Sequence, residues 1–103
     1  MTLISSHCFN SLFSKLGFIV RSIQVPYTCQ ANGQFNTNLK TLIDDDLPSG
    51  YTVLGVVGYT TNDVNVYMVA CRYYNTAYSL QIKNIHTASI SNNVVVTYLA
   101  KPN

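Results

Sequence analysis

The side chains that could carry acid–base, thiol or metal chemistry in this chain are few. The acids are Asp44, Asp45, Asp46 and Asp63, with no glutamate; the histidines are His7 and His86; the cysteines are Cys8, Cys29 and Cys71. Glycoside hydrolysis needs two carboxyls on opposite sides of a bond, and only the Asp44–Asp46 run paired with Asp63 offers that. A run of aspartates ahead of Pro48-Ser49-Gly50 reads instead as a solvated turn, built from residues that favour turns. A cysteine nucleophile needs a histidine beside it, and no local spacing places one there. Zinc needs four ligands, commonly in close pairs, and calcium loops alternate their ligands around a glycine. Neither pattern occurs, and no glycine-rich loop leads into a helix to cradle phosphate. The inventory predicts a protein with no catalytic residues, no metal and no cofactor.

The residues better suited to work are aromatic. Tyr73 and Tyr74 precede the turn residues Asn75-Thr76, and Tyr78 follows them. Tyrosine gives a binding surface large contact area at low entropic cost, with a polar tip. Successive strand residues face opposite sides, so one of Tyr73 and Tyr74 must point outward. Tyr78, in register with Leu80 and Ile82, is assigned to the core. Tyr73, Tyr74 and Asn75 are therefore the candidate ligand-binding residues.

Composition narrows the class of partner. Of the 103 residues, 48% are hydrophobic and only 10% charged; soluble domains carry roughly 25% charged residues. Surface polarity must come from Asn, Thr, Ser, Gln and Tyr. The six basic residues are scattered, giving a net charge of +2, without the concentrated basic face that nucleic acid requires. No run approaches the ~20 apolar residues of a membrane-spanning helix. The first residues lack the basic start and cleavage site of a signal peptide, and no Asn-x-Ser/Thr sequon occurs. Cys29 and Cys71 read as buried thiols, with a bridge across two sheets as the alternative; the tryptophan that packs on such a bridge in immunoglobulin domains is absent.

The elements that must hold these residues are mostly strands. Val20 to Cys29 reads as a strand, and Pro26 marks it as an edge, because proline cannot donate to a ladder. Asn32-Gly33 is a turn. Tyr51 to Tyr59 is apolar on both faces, as a central strand is, and Gly55 and Gly58 within it suggest a bulge. Val64 to Tyr74, Ala77 to Asn84 and Val94 to Ala100 complete the set. Short strands between turns, with no helices among them, predict a mostly β fold. The expected form is a small antiparallel β-sandwich or barrel, jelly-roll-like, of five to eight strands, with any helix confined to the first twenty-odd residues. There, Phe9, Leu12, Leu16, Ile19 and Ile23 are spaced as a coiled-coil seam. Residues 1–23 are accordingly expected to form an arm or the stub of a stem, and 24–103 the sandwich.

From Pro48 to Gly58 the chain runs Pro-x-Gly-Tyr-x-x-Leu-Gly-Val-Val-Gly, followed by a polar hairpin, a strand ending near Lys83-Asn84-Ile85, and a β-branched final strand, Val94 to Leu99. This layout resembles the C-terminal head domains of phage and prophage tail-fibre or receptor-binding proteins of gut bacteria, over roughly residues 25 to 103. The resemblance implies a compact β head, usually trimeric, that binds a host-surface glycan or protein. It implies a virion protein of the tail or fibre tip, made in the host bacterial cytoplasm and neighboured by other virion proteins. It carries no site motif, so no residue inherits a role. The homotrimer expected on this basis would be held at the N-terminal seam. The alternative is a structural virion protein, a capsid decoration or baseplate component without a receptor.

Overall fold

A computed structural model describes residues 17–103. Six strands and one helix follow in order: β1 (Ile19–Cys29), β2 (Gln34–Thr37), α1 (Leu39–Asp46), β3 (Tyr51–Thr61), β4 (Val66–Cys71), β5 (Leu80–Asn84) and β6 (Ile90–Pro102). They form two antiparallel three-stranded sheets, ordered β1-β6-β3 and β2-β5-β4. The result is the small antiparallel β-sandwich expected from the strand pattern.

Parity along the strands sets the core. Val25, Tyr27 and Cys29 of β1 and Val94, Val96, Tyr98 and Ala100 of β6 point inward from the first sheet, and Leu80 and Ile82 of β5 and Val66 of β4 from the second. Side chains that alternate with period two bury one face and expose the other. Where β1 and β6 pair, the outer face carries cross-strand hydroxyl pairs, Ser22–Thr97 (2.8 Å) and Thr28–Ser91 (2.9 Å).

Helix α1 packs into the core that the two sheets share. Asn38 caps the helix, its side-chain oxygen accepting from the Thr41 N–H. Leu39 and Ile43, one turn apart, are buried in the core, and Leu42 packs at its margin. The buried Ser79 hydroxyl accepts from the Leu39 N–H (2.7 Å) and reaches the Thr37 carbonyl (3.3 Å), fastening the helix start between β2 and β5. Aspartates in a last helical turn oppose the helix dipole. Two of the three are compensated: Lys40 Nζ lies 2.6 Å from Asp44, and Arg21 Nε lies 2.9 Å from Asp46. The Tyr98 hydroxyl also donates to Asp46 (2.7 Å), so one carboxylate ties α1 to both β1 and β6.

At the opposite end the buried Asn84 side chain is the junction. Its amide nitrogen lies within hydrogen-bond reach of the carbonyls of Cys29, Gln30 and Ala88 (2.9–3.1 Å), and its oxygen accepts from the His86 N–H (2.8 Å). The β1–β2 turn there needs Asn32 at φ 54°, a left-handed conformation that asparagine tolerates better than most residues.

Several expectations are corrected. The helix lies at Leu39–Asp46, so the Asp44–Asp46 run is its last turn and not a loop. β3 is an edge strand and β6 the centre of its sheet, so Leu54 and Val57 of β3 are exposed and not covered by a neighbouring strand. The bulges at Gly55 and Gly58 are present, and Gly55 at φ 153° adopts a conformation that other residues rarely do. Ile19 and Ile23 lie in β1. The boundary expected between residues 23 and 24 therefore falls inside a strand, and the lower half of the seam is not helical. Phe9, Leu12 and Leu16 lie outside the described residues. Val64 is in a loop and almost fully exposed, and Tyr78 is exposed rather than buried. Cys29 is a buried free thiol and Cys71 a half-buried one, with no bridge between them.

Two outcomes follow from these junctions. Asn84→Asp keeps the shape but removes the donor amide and sets a carboxylate against three carbonyls. Unfolding in urea should show a loss of about 3 kcal/mol or more, and a loss below ~1 kcal/mol would contradict the assigned role. The second concerns pH. Bonds from Arg21, then from Tyr98, hold the Asp46 carboxyl below its ordinary range; this stability is present at neutral pH and is lost as pH falls through that lowered value. Burial first, then the bond to Asp46, pushes the Tyr98 hydroxyl from 10.0 up to about 12. Stability from that bond is full below pH 10 and is lost as pH rises from 10 toward about 12. Alkaline unfolding followed by circular dichroism should therefore be less pH-dependent across that window in Tyr98→Phe.

Candidate ligand-binding surface

The candidate residues Tyr73, Tyr74 and Asn75 sit in the β4–β5 connection, which continues no strand. Its backbone is closed by local bonds: Thr76 N–H to the Tyr74 carbonyl (2.9 Å), Ser79 N–H to the Thr76 carbonyl (3.1 Å) and Arg72 N–H to the Ser79 carbonyl (3.0 Å). The Thr76 hydroxyl accepts from the Tyr78 N–H (3.2 Å). This is a turn held by its own polar groups, as Asn, Thr and Ser permit.

The three residues divide by role. Tyr73 packs against the core, and its hydroxyl donates to Asp44 of α1; Lys40 Nζ lies 5.0 Å from the centre of its ring. Asn75 accepts from the Asn38 side-chain amide (3.2 Å). One asparagine thus caps α1 and holds the loop against it. Burial tends to raise the Asp44 carboxyl, but the bonds from Lys40 and Tyr73 outweigh this and set it below its ordinary value. Asp44 is ionised at neutral pH and anchors both partners. Tyr74 points outward and is 62% exposed, with the Arg72 guanidinium 5.7 Å from the ring centre. A cation at that distance is attracted by the face of the ring. Tyr78, 58% exposed, stands on the same loop.

The expectation that one of Tyr73 and Tyr74 faces out is met by Tyr74. The partner ring is Tyr78, which strand parity assigned to the core; it lies before β5 begins at Leu80, where that parity does not apply. Arg72 was not singled out by the sequence, although its position next to two tyrosines is a usable signal. Arg72 makes no ion pair among the described residues. The loop therefore presents two aromatic faces and a guanidinium fork on a backbone fixed to α1. Such a surface can stack on the apolar face of a sugar ring and donate hydrogen bonds to its oxygens.

Among the described residues an open depression of about 520 Å³ is lined by Pro26, Tyr27, Thr28, Phe35, Ser91, Asn92 and Asn93. The Tyr27 and Phe35 rings meet there at 6.2 Å. The Tyr27 hydroxyl is buried without a hydrogen-bond partner, and burial raises its pKa.

The acidic residues do not assemble. Asp44 and Asp46 are engaged as described, and Asp63 accepts from the Asn65 N–H (2.8 Å) in the β3–β4 loop. Among the described residues no three His, Cys, Asp or Glu side chains are grouped to hold a metal ion. No helix among them is long and apolar enough to cross a membrane.

Anchoring and exposed positions should behave differently on substitution. Asn38→Ala removes the cap and frees the loop, at a cost of ~1 kcal/mol, whereas Tyr74→Ala should leave stability within about 0.5 kcal/mol of wild type. Urea titration of the two variants distinguishes them; equal losses would contradict the division of roles. Compared with known proteins, the chain matches no family model, no curated protein and no solved structure.

Proposed function

We propose that this chain is the head module of a phage tail-fibre or receptor-binding protein, carried on the virion as a homotrimer. It binds a host-surface glycan through Tyr74, Tyr78 and Arg72 and performs no chemistry on it. The observation that carries this reading is the loop at residues 72–78: its outward rings are exposed while Tyr73 and Asn75 fix its backbone to α1. Rigidity of this kind lowers the entropic cost of binding. The small polar β-sandwich around it accords with the head domains that the Pro48–Gly58 pattern resembles. Arg72 adds a guanidinium suited to carboxylate or phosphate groups on a sugar.

A glycan array probed with the purified chain tests the proposal. Binding should fall at least about ten-fold, equivalent to ~1.4 kcal/mol, in Tyr74→Ala and in Tyr78→Ala, with folding unchanged. An array without hits, together with stable copurification with other virion proteins, would sink the receptor reading in favour of a structural virion component.

A further inference from the structure

In the β2-β5-β4 sheet the register aligns Gln34, Lys83 and Tyr67 in one cross-strand row and Asn36, Gln81 and Ala70 in the next. Their chain neighbours Phe35, Ile82 and Met68 belong to the core or pack against it, so alternation turns both rows outward. Tyr67 is 53% exposed, and Val69, the extra residue at the β4 bulge, is exposed beside it. Gln81 Nε2 donates to Gln34 Oε1 (2.8 Å). That bond steadies both amides, and Gln34 still has its donor nitrogen and Gln81 its acceptor oxygen to offer a ligand.

Charge on this face is of one sign. Across β2, β4, β5 and the 72–78 loop there is no acidic residue, and the charged residues are Arg72 and Lys83. Lys83 Nζ donates to the Asn32 carbonyl (2.5 Å), which holds its charge at the end of β5 far from the loop. Asp44, which reaches the loop through Tyr73, is matched by Lys40. The Arg72 N–H donates to the Ser79 carbonyl (3.0 Å), one step beyond the Cys71–Leu80 pair, so the loop begins where the outer face ends. Tyr67 lies five residues before Arg72. At the strand rise of ~3.3 Å per residue that is a span of about 15 Å, longer than one sugar ring.

We infer, building on the glycan reading of the loop, that the ligand is an acidic oligosaccharide of several sugars, laid from Tyr74 and Arg72 across the outer face of this sheet to Tyr67 and Lys83. Tyr67 supplies a second aromatic platform, with a polar tip of its own. The amides of Gln34, Asn36 and Gln81 pair with hydroxyls, which both donate and accept. Arg72 and Lys83 meet carboxylates or phosphates on the chain. Charge complementarity selects the occupant, since a face with two cations and no carboxylate draws an anionic partner. Two separated cations are too few for nucleic acid, which needs a basic track along its phosphates. An open face suits an extended chain bound ring after ring, whereas a small single ligand is ordinarily held in a concave pocket.

The test is an array of acidic and neutral glycans graded in length, followed by titration calorimetry of the purified chain with the hits. Hits should be acidic, and affinity should rise with chain length. Tyr67→Ala and Lys83→Gln should each weaken the long acidic hits about ten-fold or more and leave the shortest ones unchanged. Tyr74→Ala should weaken long and short alike. Lys101→Gln, which removes the same charge from β6 of the other sheet, should change neither. If Lys83→Gln loses its fold along with the bond to Asn32, Tyr67→Ala carries the measurement. Hits weakened by Tyr74→Ala but indifferent to Tyr67→Ala, or hits that are neutral, overturn the extended track and leave the loop site standing. An array without hits overturns both.

Discussion

The carboxamide of Asn84 sits where the turn leaving β1 and the loop leaving β5 meet, and it bonds to both. β1 and β6 belong to one sheet and β2 and β5 to the other. The turn leaving β1 and the loop leaving β5 bond to each other through the Asn32 N–H and the His86 carbonyl (3.1 Å), and they carry further carbonyls and an N–H that lie outside the ladders. One fully buried side chain meets them, reaching Cys29, Gln30, His86 and Ala88. Asparagine suits the place because it holds two donors and an acceptor in one rigid plane. A buried polar group without partners is costly; one that satisfies four backbone groups fixes a single register for both sheets.

The far end uses charge for the same purpose. Asp46 receives Arg21 from β1 and Tyr98 from β6, and Asp44 receives Lys40 and Tyr73. Helix α1 is too short to be stable alone, since isolated helices below ~12–15 residues are marginal in water. It holds through Leu39 and Ile43 in the core and through these carboxylates at its last turn. The loop at 72–78 inherits its rigidity from that helix, so the candidate surface rests on the packing of a segment distant from it in sequence. A chain with four acids spends three of them on local structure, which is why no acidic cluster remains for catalysis or metal among the described residues.

Exposed aromatic and apolar side chains are then left in two places with different character. At the loop they stand beside Arg72 on a fixed backbone, a composition suited to a polar ligand with flat apolar faces. Along the two edge strands β3 and β4 they are Leu54, Val57, Tyr59, Tyr67 and Val69, all uncharged. The bulges in β3 and between Met68 and Ala70 in β4 each add a residue, Leu54, Val57 or Val69, that the core does not accept.

The strand count, the antiparallel class, the edge position of β1 and the bulge glycines were legible in the sequence, because each depends on local chemistry. Proline cannot donate, glycine alone adopts certain backbone angles readily, and alternation marks a half-buried strand. That one of Tyr73 and Tyr74 faces out was expected from strand alternation, but both lie beyond the end of β4, so the exposure of Tyr74 is set by the loop and not by that parity. What pairs with what was not. Tyr51 to Tyr59 is apolar on both faces, which sequence periodicity reads as burial between neighbours. Only the tertiary arrangement shows β6 in the centre and β3 at an edge, because register is decided by long-range contacts. Asp44 to Asp46 carries turn residues, and its helix exists because Asn38 caps it, the core accepts Leu39 and Ile43, and two cations arrive from β1 and α1 itself. Asn84 sits in phase with Leu80 and Ile82, on a face where burial is plain from the pattern. That its burial is favourable depends on carbonyls brought from residues 29, 30 and 88, and proximity of that kind is decided only when the chain has folded.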